Sequence, residues 1–195
     1  MEVLLSLCVG LGLSAACGFR VFVPLLAMSI AANAGHLHLA SSFDWIGSPV
    51  ALIAFGLATL LEVGAYYIPW LDHFLDTLAT PAAVIAGTVA TASMVTDVSP
   101  FLKWTLAVIA GGGVAGAVQA STVLARGLSF AGTGGLGNPL VATVELGGSI
   151  LTSIIAILAP FFAVGLVLLL AAIFAYKFFR RRSRRETASL VPQIG

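Results

Sequence analysis

The sequence predicts an all-α fold, a polytopic bundle of transmembrane helices. Composition supports this prediction, because 59% of the 195 residues are hydrophobic and only 9% are charged. An ordinary soluble domain carries roughly 25% charged residues. Apolar runs of membrane-spanning length also recur along the chain, which is typical of several spanning helices.

The apolar runs predict about six spans, some of them broken or re-entrant. Each of the last five runs suits one span of about 17–25 residues. The first would reach roughly 45 Å as a straight helix, against a hydrocarbon core of about 30 Å. We therefore predict a strong tilt, or a break near Gly18 and Pro24, because proline supplies no N–H to the carbonyl of Arg20. The runs are 3–33, 48–67, 81–96, 104–125, 139–158 and 161–179.

Arg20 lies within the first apolar run. Insertion scales give a cost of at least ~2.5–3.5 kcal/mol for a charge at the centre of a spanning helix. Two interpretations are open. Arg20 pairs with an acidic residue such as Glu62 in a dry seam, or it faces a solute in a wet one.

The domain organisation is predicted to be one transmembrane domain, 1–179, with halves 1–98 and 99–179, and a basic tail, 180–195. The tail begins in a dense basic run, which places the C-terminus in the cytoplasm by the positive-inside rule. Since this run follows an apolar helix directly, we expect contact with anionic lipid and not with nucleic acid. The run comprises Lys177, Arg180, Arg181, Arg182, Arg184 and Arg185.

Residues 69–80 differ from the apolar runs on either side. They begin at Pro69, end before Pro81 and combine pairs of apolar with pairs of polar side chains. This pattern predicts a short amphipathic helix at the membrane interface, with the next helix beginning at Pro81. Asp72 and Asp76 are four residues apart and would share one face of it.

A glycine-rich stretch occupies residues 127–138. Its composition predicts either a flexible surface loop or a close-packed turn whose N–H groups point at a ligand. The closing Asn138-Pro139 step suits the start of the next helix. The residues expected to shape the turn and the helix start are Gly134, Gly135, Gly137, Asn138 and Pro139.

The two halves indicate a weak inverted repeat of three helices each. In each half a small-residue helix leads to an arginine, Arg20 or Arg126. An irregular stretch follows, and then a proline-started helix that carries Glu62 or Glu145. Inverted repeats with broken helices are a common transporter plan. Chance similarity between helices rich in glycine and alanine is the alternative.

Four blocks of the sequence are distinctive: ACGFRVFVPLLA, EVGAYYIPWLDHFLDTLATP, AGGGVAGAVQASTVLAR and TGGLGNPLVATVELGGS. Over about residues 3–175 the chain resembles the bacterial integral-membrane family called domain of unknown function 4126. The resemblance implies a small bacterial inner-membrane protein of several helices, and it brings no mechanism. Arg20, Glu62, Asp72, Asp76 and Arg126 fit the family pattern.

The functional hypothesis is a transporter or channel for a small solute or ion. Intramembrane ionisable residues usually mark ion or solute routes. Arginines suit an anion, whereas carboxylates suit a cation or a proton, and the sequence leaves this choice open. The alternative is a structural or accessory membrane protein whose buried charges only fix packing and assembly. The candidate pathway residues are Arg20, Glu62, Asp72, Asp76, Arg126 and Glu145.

The sequence carries no catalytic signature such as a P-loop or a G-x-S-x-G motif. We therefore expect no catalytic residues, metal or cofactor, and an enzyme is the least favoured class. Spacings of small residues such as Gly112 to Gly116 permit close approach of helices. They lead us to expect a homo-oligomer in the lipid bilayer.

Overall fold

The structure is a computed structural model that describes residues 1–169 and Ala172, apart from the side chains of residues 69–74 and 76. All regular structure in this part of the chain is helical, so the predicted all-α class is confirmed. The predicted basic tail lies outside the described residues.

The helices follow one another with short connections. A π-helical turn, Ala107–Gly112, joins α5 to α6, so that Pro100–Thr133 forms one helical stretch of 34 residues. In chain order the elements are α1 (Glu2–Cys17), α2 (Phe22–Asn33), a 3₁₀ helix (Ser41–Gly47), α3 (Pro49–Ala65), α4 (Pro69–Met94), α5 (Pro100–Leu106), α6 (Gly113–Thr133), α7 (Asn138–Leu158) and α8 (Pro160–Leu169).

The first apolar run is broken between α1 and α2. Pro24 lies in the first turn of α2, where a missing N–H removes no helical hydrogen bond. Gly18 has an ordinary right-handed backbone, with φ −71°, so its role is steric. A Cβ atom at Gly18 would lie 2.6 Å from the carbonyl oxygen of Ala115, which means that only glycine lets the end of α1 approach α6 this closely.

The predicted boundary at Pro81 is wrong. Pro81 lies inside α4, which runs without interruption through Pro69–Met94. The residues expected to form a separate amphipathic helix are therefore the first turns of α4. Proline is tolerated inside membrane helices because neighbouring helices and side chains satisfy the freed backbone groups.

Among the described residues, three helices are long and apolar enough to cross a bilayer: Thr77–Met94 within α4, Pro100–Thr133 and Asn138–Leu158. A fourth span is obtained if Ser41–Gly47 and Pro49–Ala65, which meet at a bend of 63°, are counted as one broken span. Helices α1, α2 and α8 are apolar but shorter. The count of six spans therefore stays a prediction.

One face of α3 presents large aliphatic side chains to the surroundings. Leu57 is 58% exposed and Val50 is 77% exposed. A continuous apolar stripe of this kind would be unfavourable in water and is suited to lipid. Together with the long apolar helices, it suggests an integral membrane protein. The stripe consists of Val50, Ile53, Leu57, Leu60 and Leu61.

Helix α1 packs on α4 and α7 through small and hydroxyl side chains. The Ser14 hydroxyl donates to the carbonyl oxygen of Gly87 at 2.6 Å, and it lies 2.8 Å from the hydroxyl of Thr91. A Cβ atom at Gly12 would lie 2.6 Å from Cβ of Ala156. Small residues thus allow close backbone approach, as is usual between membrane helices.

The small-residue pair Gly112 and Gly116 allows close packing between helices of the same chain. A Cβ atom at Gly112 would lie 2.7 Å from Oγ1 of Thr88, and one at Gly116 would lie 3.1 Å from Cγ2 of Val84. Both glycines therefore face α4. A homo-oligomer stays a prediction, and this pair does not provide its interface.

We expect Gly18→Ala to destabilise the protein by ~1–3 kcal/mol, because the added methyl group overlaps the Ala115 carbonyl and overpacks the α1–α6 contact. Gly56→Ala is the matched control, since a Cβ atom at Gly56 meets nothing within 4 Å. Thermal unfolding in detergent micelles measures both variants. Equal unfolding temperatures for the two variants would contradict the steric role of Gly18.

Candidate functional site

The two helix ends at the break in the first run are satisfied by side chains from other helices. On the α1 side, the carbonyl oxygen of Ala16 accepts from the Arg20 backbone N–H at 3.1 Å and from the Ser149 hydroxyl at 3.0 Å. On the α2 side, the Glu62 carboxylate accepts from the N–H groups of Val21 at 2.7 Å and Phe22 at 3.0 Å. The break is therefore held by α3 and α7.

Glu62 thus caps α2: its carboxylate oxygens accept from backbone N–H groups, whereas one interpretation of the sequence paired Glu62 with Arg20. The reason is that the first N–H groups of a helix have no partner within the helix and carry partial positive charge. In an apolar bundle a carboxylate is a strong acceptor for them. The acidic residue beside Arg20 is instead Glu145.

Arg20 points from the break toward α7. Its side chain is 2% exposed. Nη2 donates to the carbonyl oxygen of Ala142 at 3.0 Å and lies 3.5 Å from Oε2 of Glu145. Nε and Nη1 have no hydrogen-bond partner among the described residues.

Arg126 and Glu145 form a buried two-point pair. Arg126 Nε donates to Oε1 of Glu145 at 2.9 Å, and Arg126 Nη2 donates to Oε2. The two side chains are 5% and 4% exposed. This fork-to-fork geometry is the strongest form of an arginine–carboxylate contact, so Glu145 compensates the Arg126 charge directly.

Tyr66, at the end of α3, lies against both guanidinium groups. Its ring centroid is 3.7 Å from Cζ of Arg20 and 4.1 Å from Cζ of Arg126. Cation–π attraction is largest where the cation is desolvated, as both arginines are here. We call Arg20, Tyr66, Arg126 and Glu145 the arginine cluster.

The cluster joins residues from the break after α1, the end of α3, α6 and α7. A sequence model of the family described as Domain of unknown function (DUF4126) matches residues 7–180. The chain belongs to this family. The match confirms the resemblance carried by the four sequence blocks and includes all of the arginine cluster. No curated protein and no solved structure matches the chain.

The second half of this DUF4126 chain differs from the first at its arginine. Arg126 lies inside α6, which continues to Thr133, so the irregular stretch expected directly after Arg126 begins later. There is thus no counterpart at Arg126 to the break beside Arg20. The inverted repeat stays a prediction.

Residues 134–137 of the glycine-rich stretch form the turn from α6 to α7, whereas residues 127–133 belong to α6. Gly134 and Gly135 have φ of 63° and 93°, a left-handed backbone that favours glycine. The N–H of Gly137 bonds to the Thr133 hydroxyl at 2.9 Å. Asn138 begins α7 and Pro139 follows it. These groups connect two helices, and the arginine cluster contains none of them.

The side chains of Asp72 and Asp76 lie outside the described residues. Their expected position at the mouth of a pathway therefore stays a prediction. Of the other pathway candidates, the structure of this DUF4126 protein brings Arg20, Arg126 and Glu145 together. Glu62 lies at the neighbouring helix cap.

Sequence reasoning missed Tyr66. The signal that indicates it is its spacing from Glu62, since residues four apart lie on one face of a helix. A tyrosine one turn after an intramembrane acid therefore points into the same polar interior.

We expect Tyr66→Leu to destabilise the DUF4126 protein by ~1–3 kcal/mol, because it removes two desolvated cation–π contacts. Tyr66→Phe keeps the ring and should therefore be more stable than Tyr66→Leu. Thermal unfolding in detergent compares the two variants. If Tyr66→Leu were as stable as Tyr66→Phe, the contacts to the guanidinium groups would contribute nothing measurable.

Proposed function

We propose that this protein is a transporter or channel for a small solute or ion, with the arginine cluster as its polar site. The observation that carries the proposal is the convergence of buried ionisable side chains at a broken helix inside an apolar bundle. Intramembrane charges commonly mark solute routes, and broken helices commonly supply substrate and ion sites.

A gain in folding stability does not by itself explain why charged side chains are buried at a helix break. A buried ion pair can often be replaced by well-packed apolar residues at no loss, or with a gain of 1–4 kcal/mol. The helix break adds unpaired backbone groups that Glu62 and Ser149 must then satisfy. A role in binding or moving a polar solute accounts for both features.

The second candidate function is a structural or accessory membrane protein. It is favoured by the close engagement of Glu62 and Glu145 with groups of the same chain. It is also favoured by the burial of Arg20 and Arg126, which are 2% and 5% exposed. Under the transport proposal, this conformation is an occluded one that must open to admit a solute.

Ion flux in proteoliposomes separates the two functions. The full chain is reconstituted, and chloride, potassium and proton fluxes are measured against protein-free vesicles. The transport proposal predicts flux in at least one assay. This flux should be reduced in Arg20→Gln and unchanged in Lys103→Gln, which removes a positive charge outside the cluster.

Absence of all three fluxes would favour the structural function, provided that the reconstituted protein is folded. Folding is checked by gel filtration and thermal unfolding of the same preparation. Arg20→Lys is measured as well, because it retains the positive charge and disturbs the bundle least. If Arg20→Gln does not fold, the flux of Arg20→Lys is compared with that of the wild type.

We further propose the bacterial inner membrane as the location, with the C-terminus in the cytoplasm and the basic tail on anionic lipid. A homo-oligomer is part of this proposal. Labelling of single cysteines introduced into the tail tests the orientation. Cross-linking in native membranes tests the assembly.

A further inference from the structure

In the described part of the chain, Arg20 is a buried charged side chain with hydrogen-bond donors that lack an acceptor. Its Nε and Nη1 atoms have no hydrogen-bond partner, although the side chain is 2% exposed. These two nitrogens carry three of the five N–H groups of a guanidinium. Buried donors of this kind are almost always paired, and an unpaired charged one is especially unfavourable.

Among the described residues, the acceptors beside Arg20 are engaged with other groups. Both oxygens of Glu62 accept from the backbone at the start of α2. Both oxygens of Glu145 accept from Arg126, and the closer one faces Nη2 of Arg20 at 3.5 Å. The Ala142 carbonyl also faces Nη2. All the described partners therefore lie at one nitrogen.

The ring of Tyr66 restricts how a ligand can approach. The ring centroid lies 3.7 Å from Cζ of Arg20, so it covers the guanidinium face. The unpaired N–H groups point outward in the guanidinium plane. A ligand must therefore meet Arg20 at its edge, and it must be an acceptor.

We propose that Nε and Nη1 of Arg20 bind a small inorganic anion of halide size. Negative charge matches a desolvated guanidinium, since hydrogen bonds between ionised partners are stronger than those to a neutral acceptor such as water. Small size follows from the near-complete burial of Arg20. That this anion is also the solute that crosses the membrane rests on the proposed function.

The N-terminus of α2 plays no part in this site. Its first N–H groups, at Val21 and Phe22, are occupied by Glu62. The cap instead fixes the backbone that directly follows Arg20. Glu62 is therefore a positioning residue in the proposal, and Arg20 alone supplies the unpaired donors.

Thermal unfolding of the full chain in detergent tests the binding. Unfolding temperatures are measured in sodium chloride and in sodium gluconate at equal ionic strength, because a ligand that binds only the folded state raises stability with its concentration. We expect a saturable rise in chloride for the wild type and for Lys103→Gln. In Arg20→Lys we expect the apparent Kd for chloride to increase by at least ~10-fold.

Two results would overturn the anion site. One is no difference between chloride and gluconate in the wild type. The other is an equal chloride effect in wild type and Arg20→Lys, which would indicate a general salt effect. Anomalous diffraction from wild-type crystals grown in bromide is the second measurement. A peak within hydrogen-bond distance of Nε or Nη1 supports the site, and a water there overturns it.

The binding and flux assays together distinguish the two proposals. Chloride binding at Arg20 without flux of any ion would support the anion site and overturn the transport function. Potassium or proton flux without chloride binding would support transport and overturn the anion site.

Discussion

Replacement of Glu145 by alanine is expected to lower the free energy of unfolding by ~3–5 kcal/mol, because it removes the carboxylate that contacts two buried guanidinium groups. Arg126 would lose both bonds to the carboxylate, and Arg20 would lose the negative charge 3.5 Å from Nη2. The side chains of this pair are at most 5% exposed, so water cannot replace the carboxylate without opening the bundle.

Unfolding of the purified protein in mixed detergent micelles measures this effect. Glu2→Ala is the matched control, since Glu2 is an exposed carboxylate in the first turn of α1. The paired variant Arg126→Leu with Glu145→Leu should recover part of the lost stability, because it removes Arg126 together with its acceptor, whereas Arg20 still lacks the carboxylate beside Nη2. A loss below ~1 kcal/mol in Glu145→Ala would place the pair in the range of solvent-exposed ion pairs and would contradict its buried geometry.

Replacement of Glu62 by alanine has the second large expected effect. It leaves the N–H groups of Val21 and Phe22 without their acceptors. A hydrogen bond to a charged group contributes ~1.5–3 kcal/mol, so loss of the two together is expected to cost ~3–6 kcal/mol when the donors cannot reach water. Glu62→Gln keeps one acceptor oxygen and should fall between the wild type and Glu62→Ala.

Hydrogen exchange gives the local measurement for this cap. The amides of Val21 and Phe22 should exchange much faster in Glu62→Ala, while amides in the middle of α7 keep their protection relative to global stability. Lys103→Gln is the control, because Lys103 is far in sequence from the cap at Val21 and Phe22. Uniform loss of protection throughout the bundle would mean that Glu62 stabilises the whole fold and does not act as a cap.

The sequence predicted either a strong tilt or a break in the first run, and the structure contains the break. The run is too long for one span, and Gly18 and Pro24 are residues that favour interruption. Which groups compensate the break was not predictable, because Glu62 and Ser149 are distant in sequence and meet the break only through packing of α3 and α7 on α1 and α2.

The acidic partner of Arg20 was also not predictable from the sequence. Burial of a cation demands an acceptor, and the sequence offered several acidic residues without ranking them. The choice of Glu145 depends on where α7 lies relative to the break. That Nε and Nη1 lack a partner was also not predictable, since it depends on the direction in which the Arg20 side chain points.

Two helix boundaries predicted from proline and glycine differ from those in the structure. Pro81 suggested a helix start, yet α4 continues through it. Glycines after Arg126 suggested an irregular backbone, yet α6 continues to Thr133 and the left-handed turn begins at Gly134. In an apolar surrounding a continuous helix satisfies most of its own backbone groups, and neighbouring helices and side chains satisfy the groups that a proline frees, so proline and glycine are accommodated inside a helix.

Chloride efflux from proteoliposomes tests most directly whether Arg20 serves a permeating anion. Vesicles that contain the wild type or Lys103→Gln should release chloride faster than protein-free vesicles, and Arg20→Lys should lose most of that release. Chloride release no faster than from protein-free vesicles, with protein shown to be folded and inserted, would contradict the account.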